Sequence, residues 1–231
     1  MKPYLTWIFI TFTCCIPLNF PSAIFAAEGE WTRKADMPTP RSVLATNVVD
    51  GIIYTIGGTP DNWTGLPTVE AYNPQTDTWT TKKEMPTPRG WLSASTVEGK
   101  IYAIGGNREG EVFSTVEAYD PVMDTWRRKK KMPTPRYFLS TCVVAGKIYA
   151  IGGKTQFGIE LSTVEVYEPQ NDMWGKAADM PTARSIFSTS VVAGKIYAIG
   201  GWSGNDKLAT VEEYDPAKNT WTKKASLPEA I

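Results

Sequence analysis

Short apolar runs separated by glycine and proline breaks make up residues 89–133, and the breaks leave no room for a helix. Residues 91–97 (Trp-Leu-Ser-Ala-Ser-Thr-Val) carry small and β-branched side chains and end at Glu98-Gly99-Lys100. Ile101-Tyr102-Ala103-Ile104 follows at once and stops at Gly105-Gly106. Two such runs around a tight turn predict a β-hairpin. After a loop, Thr115-Val116-Glu117-Ala118-Tyr119 predicts a third strand, closed by Asp120-Pro121. Residues 125–130 predict a fourth, closed by Met132-Pro133. In order these are strands A, B, C and D of one unit.

The same unit recurs. Its tryptophans, Trp31, Trp79, Trp126, Trp174 and Trp221, are spaced 48, 47, 48 and 47 residues apart. A Gly-Gly pair keeps that period at Gly57, Gly105, Gly152 and Gly200, each followed by a second glycine. So does the turn Met37-Pro38-Thr39-Pro40-Arg41, which returns at 85–89, at 132–136 and, as Met-Pro-Thr-Ala-Arg, at 180–184. A strict period of this size predicts one supersecondary unit packed against its own repeats. Tyr72, Tyr119, Tyr167 and Tyr214 of strand C and the strand D tryptophans are then rigid fillers between units, and their polar tips need partners.

These residues resemble the kelch repeat: a double glycine after Ile-Tyr-x-Ile, a Val-Glu-x-Tyr segment, and a tryptophan seven residues after that tyrosine. The resemblance covers residues 31–228. It implies an all-β, kelch-type β-propeller serving as an interaction scaffold. Four antiparallel four-stranded blades are expected, at about 41–85, 89–132, 136–180 and 184–227, within a domain of residues 28–231. Residues 31–37 read as an additional D-type strand. Propellers of this family usually have six or seven blades, so four imply an incomplete or open ring. Its end blades, headed by Arg41 and Arg184, would lack a neighbour. Exposed edges of that kind favour self-association or marginal stability.

Composition narrows the function. Lys plus Arg and Asp plus Glu are 24 each, so the net charge is zero and nucleic acid is not an expected partner. The basic runs at 127–131 and 223–224 read as solvated strand edges. The segment before residue 28 differs from the rest. Met1-Lys2 precedes an apolar run at 4–16, Pro17 and Pro21 break it, and Ala23, Ala26 and Ala27 lead into Glu28. That is the layout of a secretory signal peptide, residues 1–27. A secreted or periplasmic location is expected, with an uncleaved membrane anchor as the alternative. The apolar run is 13 residues, short for a span, and no membrane span is expected in the mature chain. Cys142 is then the one mature cysteine, and no internal disulfide can form.

In an antiparallel blade the D-to-A turns and B-to-C loops emerge at the same end. Arg41, Arg89, Arg136 and Arg184 come from the turns and could grip carboxylates bidentately, or bond neighbouring carbonyls as framework. The B-to-C loops, at 59–66, 107–113, 154–160 and 202–207, are where the units diverge. They carry Trp63, Arg108, Phe113, Phe157 and Trp202, an aromatic and polar mixture of the kind enriched at binding surfaces. The aromatics could equally pack down their own loops. A protein or glycan ligand on this face is the expected function. The chain has no histidine, which removes histidine-based triads and imidazole metal sites. No cofactor or metal site is expected. The alternative is a sugar isomerase-like or hydrolase-like enzyme using the loop carboxylates Asp61, Glu109, Glu111, Glu160 and Asp206.

Overall fold

β-branched and aromatic residues alternate with small ones in every unit, and each unit folds as one four-stranded antiparallel sheet. The computed structural model describes residues 31–231, and the expected signal peptide, residues 1–27, lies outside the described residues. Blade 1 contains β1 (Ala45–Val49), β2 (Ile52–Ile56), β3 (Val69–Asn73) and β4 (Thr78–Thr81). Blade 2 contains β5 (Ser93–Val97), β6 (Lys100–Ile104), a short ribbon of β7 (Asn107–Arg108) and β8 (Glu111–Val112), then β9 (Val116–Asp120) and β10 (Thr125–Arg128). Blade 3 contains β11 (Ser140–Val144), β12 (Lys147–Ile151), β13 (Val164–Glu168) and β14 (Met173–Lys176). Blade 4 contains β15 (Ser188–Val192), β16 (Lys195–Ile199), β17 (Val211–Asp215) and β18 (Thr220–Lys223). No helix occurs among the described residues.

The A-to-B hairpins turn on two residues with positive φ, such as Glu98 at 49° and Gly99 at 72°. That geometry matches the right-handed twist of the flanking strands. The residues 31–37, by contrast, form no strand. They pair in no sheet among the described residues. Ala35 instead clips onto blade 1: its N–H donates to Asp77 Oδ1 at 2.8 Å and its carbonyl accepts Trp79 Nε1 at 2.9 Å.

The same clip recurs at each junction. Lys83, Lys130 and Ala178 accept Trp126, Trp174 and Trp221, and their N–H groups donate to Asp124, Asp172 and Asn219. Each tryptophan ring leans on its strand C tyrosine with centroids 5.0–5.1 Å apart. The expected polar partners of these fillers are thus the link backbone and the residue in the C-to-D turn.

Apolar side chains fill three sandwiches between consecutive blades. Between blades 1 and 2, Val49, Tyr54, Ile56, Val69 and Ala71 meet Ile101, Ala103 and Tyr119. The next two junctions repeat this with equivalent residues. The Gly-Gly pairs sit where the next blade's turn arrives. A Cβ on Gly57, Gly105 or Gly152 would stand 2.4–2.6 Å from the carbonyl oxygen of Arg89, Arg136 or Arg184. The second glycine's N–H donates to that same carbonyl at 2.9–3.0 Å. Glycine is therefore required by close backbone approach as well as by positive φ.

Strand A is innermost in every blade, and β1 lies beside β5, β5 beside β11, and β11 beside β15. No comparable contact returns from β15 to β1. The four blades form an open arc.

Candidate functional site

The loop face is assembled by short backbone bridges that join each D-to-A turn to the B-to-C loop of its own blade. They pair Ser42 with Thr59, Gly90 with Asn107, Tyr137 with Lys154, and Ser185 with Trp202. Alternating connections thus bring turns and loops to one end, as the strand order requires.

The four arginines lie inside the blades rather than on that surface. Arg89, Arg136 and Arg184 are fully buried, as is the side chain of Arg41. Each guanidinium reaches a strand C glutamate of its own blade: Arg41–Glu70 at 2.6 Å, Arg89–Glu117 at 2.7 Å, Arg136–Glu165 at 2.8 Å and Arg184–Glu212 at 2.7 Å. The turn threonine bonds the other carboxylate oxygen, from Thr39, Thr87, Thr134 and Thr182 at 2.7–2.8 Å. Arg89 also donates to the Gly105 and Ala103 carbonyls, and Arg136 to those of Thr163 and Ala150, whereas Arg41 Nε is buried without a hydrogen-bond partner. Burial lowers the pKa values of Arg89, Arg136 (to about 10) and Arg184, and the paired glutamates oppose the shift. Each guanidinium–carboxylate pair thus closes within its own blade. The recurring glutamate two residues before each tyrosine was the sequence signal for this clamp.

The loop residues divide. Phe113 is buried, with the Arg108 guanidinium 5.9 Å from its ring centroid, so this pair packs within its own blade. Trp202 is half-buried and held by its bridge to Ser185. Phe157 and Trp63 are the exposed aromatics, at 85% and 59%. Trp63 is fixed by its backbone. Its N–H donates to Asp61 Oδ1 at 2.9 Å, and its carbonyl accepts the Glu109 N–H from the next loop at 3.1 Å.

A second set of residues, read from sequence as the start of strand A or left unremarked, forms the axial mouth of this face. Two positions after each arginine stands a bulky apolar residue: Val43, Trp91, Phe138 or Ile186. All four have φ between 48° and 55°, a left-handed conformation rare for such side chains. A ladder across the blades holds them there. Trp91 N–H donates to Val43, Phe138 N–H to Trp91, and Ile186 N–H to Phe138, at 2.9–3.2 Å. The pattern of a bulky residue at Arg+2 in every unit was visible. Its conformation was not, because it depends on the neighbouring blade.

These residues line an open apolar groove together with Leu44, Leu92, Leu139 and Phe187. Trp91 and Phe138 also border a second groove with Trp63, Tyr137, Asn62, Asn107 and Gln156. Trp91 and Phe138 meet edge to face at 6.1 Å, and the Tyr137 and Phe138 rings lie tilted to each other at 5.0 Å. The result is a continuous aromatic strip bordered by amides. Among the loop carboxylates, Asp61 accepts bonds from Thr64 and Trp63, which hold its pKa at about 2. Glu160 pairs with Lys154 at 3.0 Å. Asp61 is therefore not poised to hold a proton for acid catalysis at neutral pH.

Comparison with known proteins agrees with this architecture. A family model described as the KLHDC2/KLHL20/DRC7 Kelch-repeats domain matches residues 25–153, and the Kelch motif matches residues 135–181 and 183–228. Kelch-like ECH-associated protein 1B of Danio rerio is 38% identical over 63 residues, which are 26% of this chain and 11% of that protein. The solved structure of YjhT superimposes with a TM-score of 0.75, over 85% of this chain and 68% of that one, at 19% identity. At that identity the likeness is one of fold.

Proposed function

Because the chain belongs to the kelch-repeat family, we propose that it is an exported scaffold that binds a protein partner through its loop face. The observation that carries this is the aromatic strip of Trp63, Trp91, Tyr137 and Phe138, continuous with the apolar axial mouth. Large aromatic side chains with few rotatable bonds are favoured anchors in such interfaces. The strip sits where the units diverge in sequence, while the surrounding arginine clamps keep the face rigid. Export rests on the layout of residues 1–27 and is tested by the N-terminal mass of the chain recovered from outside the cytoplasm. Retention of Met1 there would favour an anchor.

Asn62, Asn107 and Gln156 beside the aromatic faces favour a glycan as the second reading, since amides suit hydroxyl-rich ligands. The low pKa of Asp61 does not favour the enzyme alternative. Capture of a partner from the exported compartment with the whole chain, repeated with Trp63→Ala and Trp91→Ala, tests the proposal. Binding should fall at least about tenfold, the equivalent of one lost anchor of roughly 1.4 kcal/mol. Unchanged capture by both variants would overturn the loop face. Release by free oligosaccharide would select the glycan.

A further inference from the structure

The units can be compared position by position on the face each turns toward the following blade. On strand C that position is Ala71 in blade 1, Ala118 in blade 2 and Val166 in blade 3. These small apolar groups belong to the three sandwiches. In blade 4 the equivalent residue is Glu213, opposite Tyr197 exactly as the other three stand opposite Tyr54, Tyr102 and Tyr149. Its carboxylate accepts the Tyr197 hydroxyl at 2.6 Å, Lys195 Nζ at 2.8 Å and Lys224 Nζ at 3.0 Å. The equivalent lysines of blades 2 and 3, Lys100 and Lys147, pair instead with Asp120 and Glu168 at the end of strand C. Only in blade 4 is a lysine drawn onto the middle of the face.

We propose that blade 4 is a capping blade: the Glu213–Lys195–Lys224–Tyr197 cluster closes its outward face against a second copy of this chain. Stacking a blade there would bury an ion cluster against the tyrosine and tryptophan of the newcomer. The desolvation of such charges offsets most or all of their attraction. Terminal repeats with a polar outer face are the general means by which repeat arrays stay soluble.

The links supply an independent obstacle. At an interior junction one link does two jobs. Met85 and Arg89 bond the carbonyls of blade 1, and Lys83 clips the tryptophan of blade 2. At the two ends each job is already done separately. Ala35 occupies the clip on Trp79, and the 227–231 segment lies on blade 4, with Leu227 N–H bonded to Ala209 and Gly201 N–H to the Ile231 carbonyl. A second copy placed head to tail would bring both segments to one position. Blade 1 adds a polar change of its own. Thr55 stands where later blades have Ala103, Ala150 and Ala198, and its hydroxyl is held by Arg41 and bonds the Glu70 carbonyl.

The exposed valines Val48 and Val192, at 58% and 59%, mark the two faces and make the test direct. The whole chain carrying Cys14→Ser, Cys15→Ser, Val48→Cys and Val192→Cys is treated with a short thiol crosslinker, and its melting temperature is read across a hundredfold concentration range. No intermolecular 48–192 crosslink and a concentration-independent melting temperature are expected. A crosslinked ladder, or a melting temperature that rises with concentration, would overturn the proposal. The same chain with Glu213→Val, Lys195→Ile and residues 225–231 removed should form the ladder, with crosslinked product increased at least tenfold. If that variant keeps its β circular-dichroism spectrum and stays uncrosslinked, the cluster and links are not what closes the face. If it loses that spectrum, the decision falls to Glu213→Val alone, whose crosslinking must exceed that of the parent.

Discussion

Blades 3 and 4 contain the same pentapeptide, Lys-Ile-Tyr-Ala-Ile, as β12 and β16. Their A strands, Ser-Thr-Cys-Val-Val and Ser-Thr-Ser-Val-Val, differ at one position. Both pentapeptides pair in the same register, and both bury the isoleucine and alanine that face the preceding blade. The other face diverges. Tyr149 and Ile151 are buried between blades 3 and 4, whereas Tyr197 and Ile199 are half-buried and Val192 is open to solvent. Strand formation is thus a property of the unit, and burial is a property of the junction. The comparison also shows where one residue matters: Glu213 lies on the face of blade 4 that no blade covers among the described residues.

The largest expected effect tests what the two blades share. Arg136→Ala in blade 3 and Arg184→Ala in blade 4 should each cost about 3–5 kcal/mol, because each leaves a buried glutamate without its partner. The costs should agree within about 1 kcal/mol, since each clamp closes within its own blade. Denaturant midpoints would check this, and a much smaller loss for Arg184 would make the clamp dependent on the following blade. Next comes what they do not share. Ile151→Ala should cost about 2–5 kcal/mol as a buried truncation. Ile199→Ala should cost less than half as much, because half of its contacts are absent already. Equal losses would mean that another surface covers blade 4 in solution.

The smallest expected effect is in pH dependence. Hydrogen bonds from Lys195, Tyr197 and Lys224 hold the Glu213 carboxyl at about 2, below the ordinary 4.5. A depressed acid contributes stability that is fully present above its unfolded value and is lost as pH falls through the folded one. Acid melts between pH 4.5 and 2 should therefore be shallower for Glu213→Gln than for the parent. Val166→Gln in blade 3 should produce no such change in slope.

Strand order, the tight A-to-B hairpins and the shared end of turns and loops were legible because they depend on residues near in sequence and on alternation of direction. The fillers were legible because they recur. Arg41, Arg89, Arg136 and Arg184 were placed on the correct turns, with a ligand carboxylate and a framework role both left open. Each reaches inward to a glutamate 28 or 29 residues away, a pairing that only the folded blade brings together. Phe113 looked like Trp63 in composition, and the ribbon of β7 and β8 in its own loop turns it inward. Residues 31–37 resembled a D strand in sequence, and they pair in no sheet among the described residues, because a strand needs a partner that sequence similarity alone does not supply.

The sequence by itself determined the blade: its four strands, its turns, the glycines that admit the next turn, and the number of units. Those follow from local backbone preference and a repeated pattern, which need no information about distant neighbours. Tertiary structure decided which identical residues are covered, which arginines meet which carboxylates, and which bulky side chains are held left-handed at the axial mouth. Each of these depends on what the adjoining blade places alongside, and the end blades, with one neighbour instead of two, are where that dependence shows.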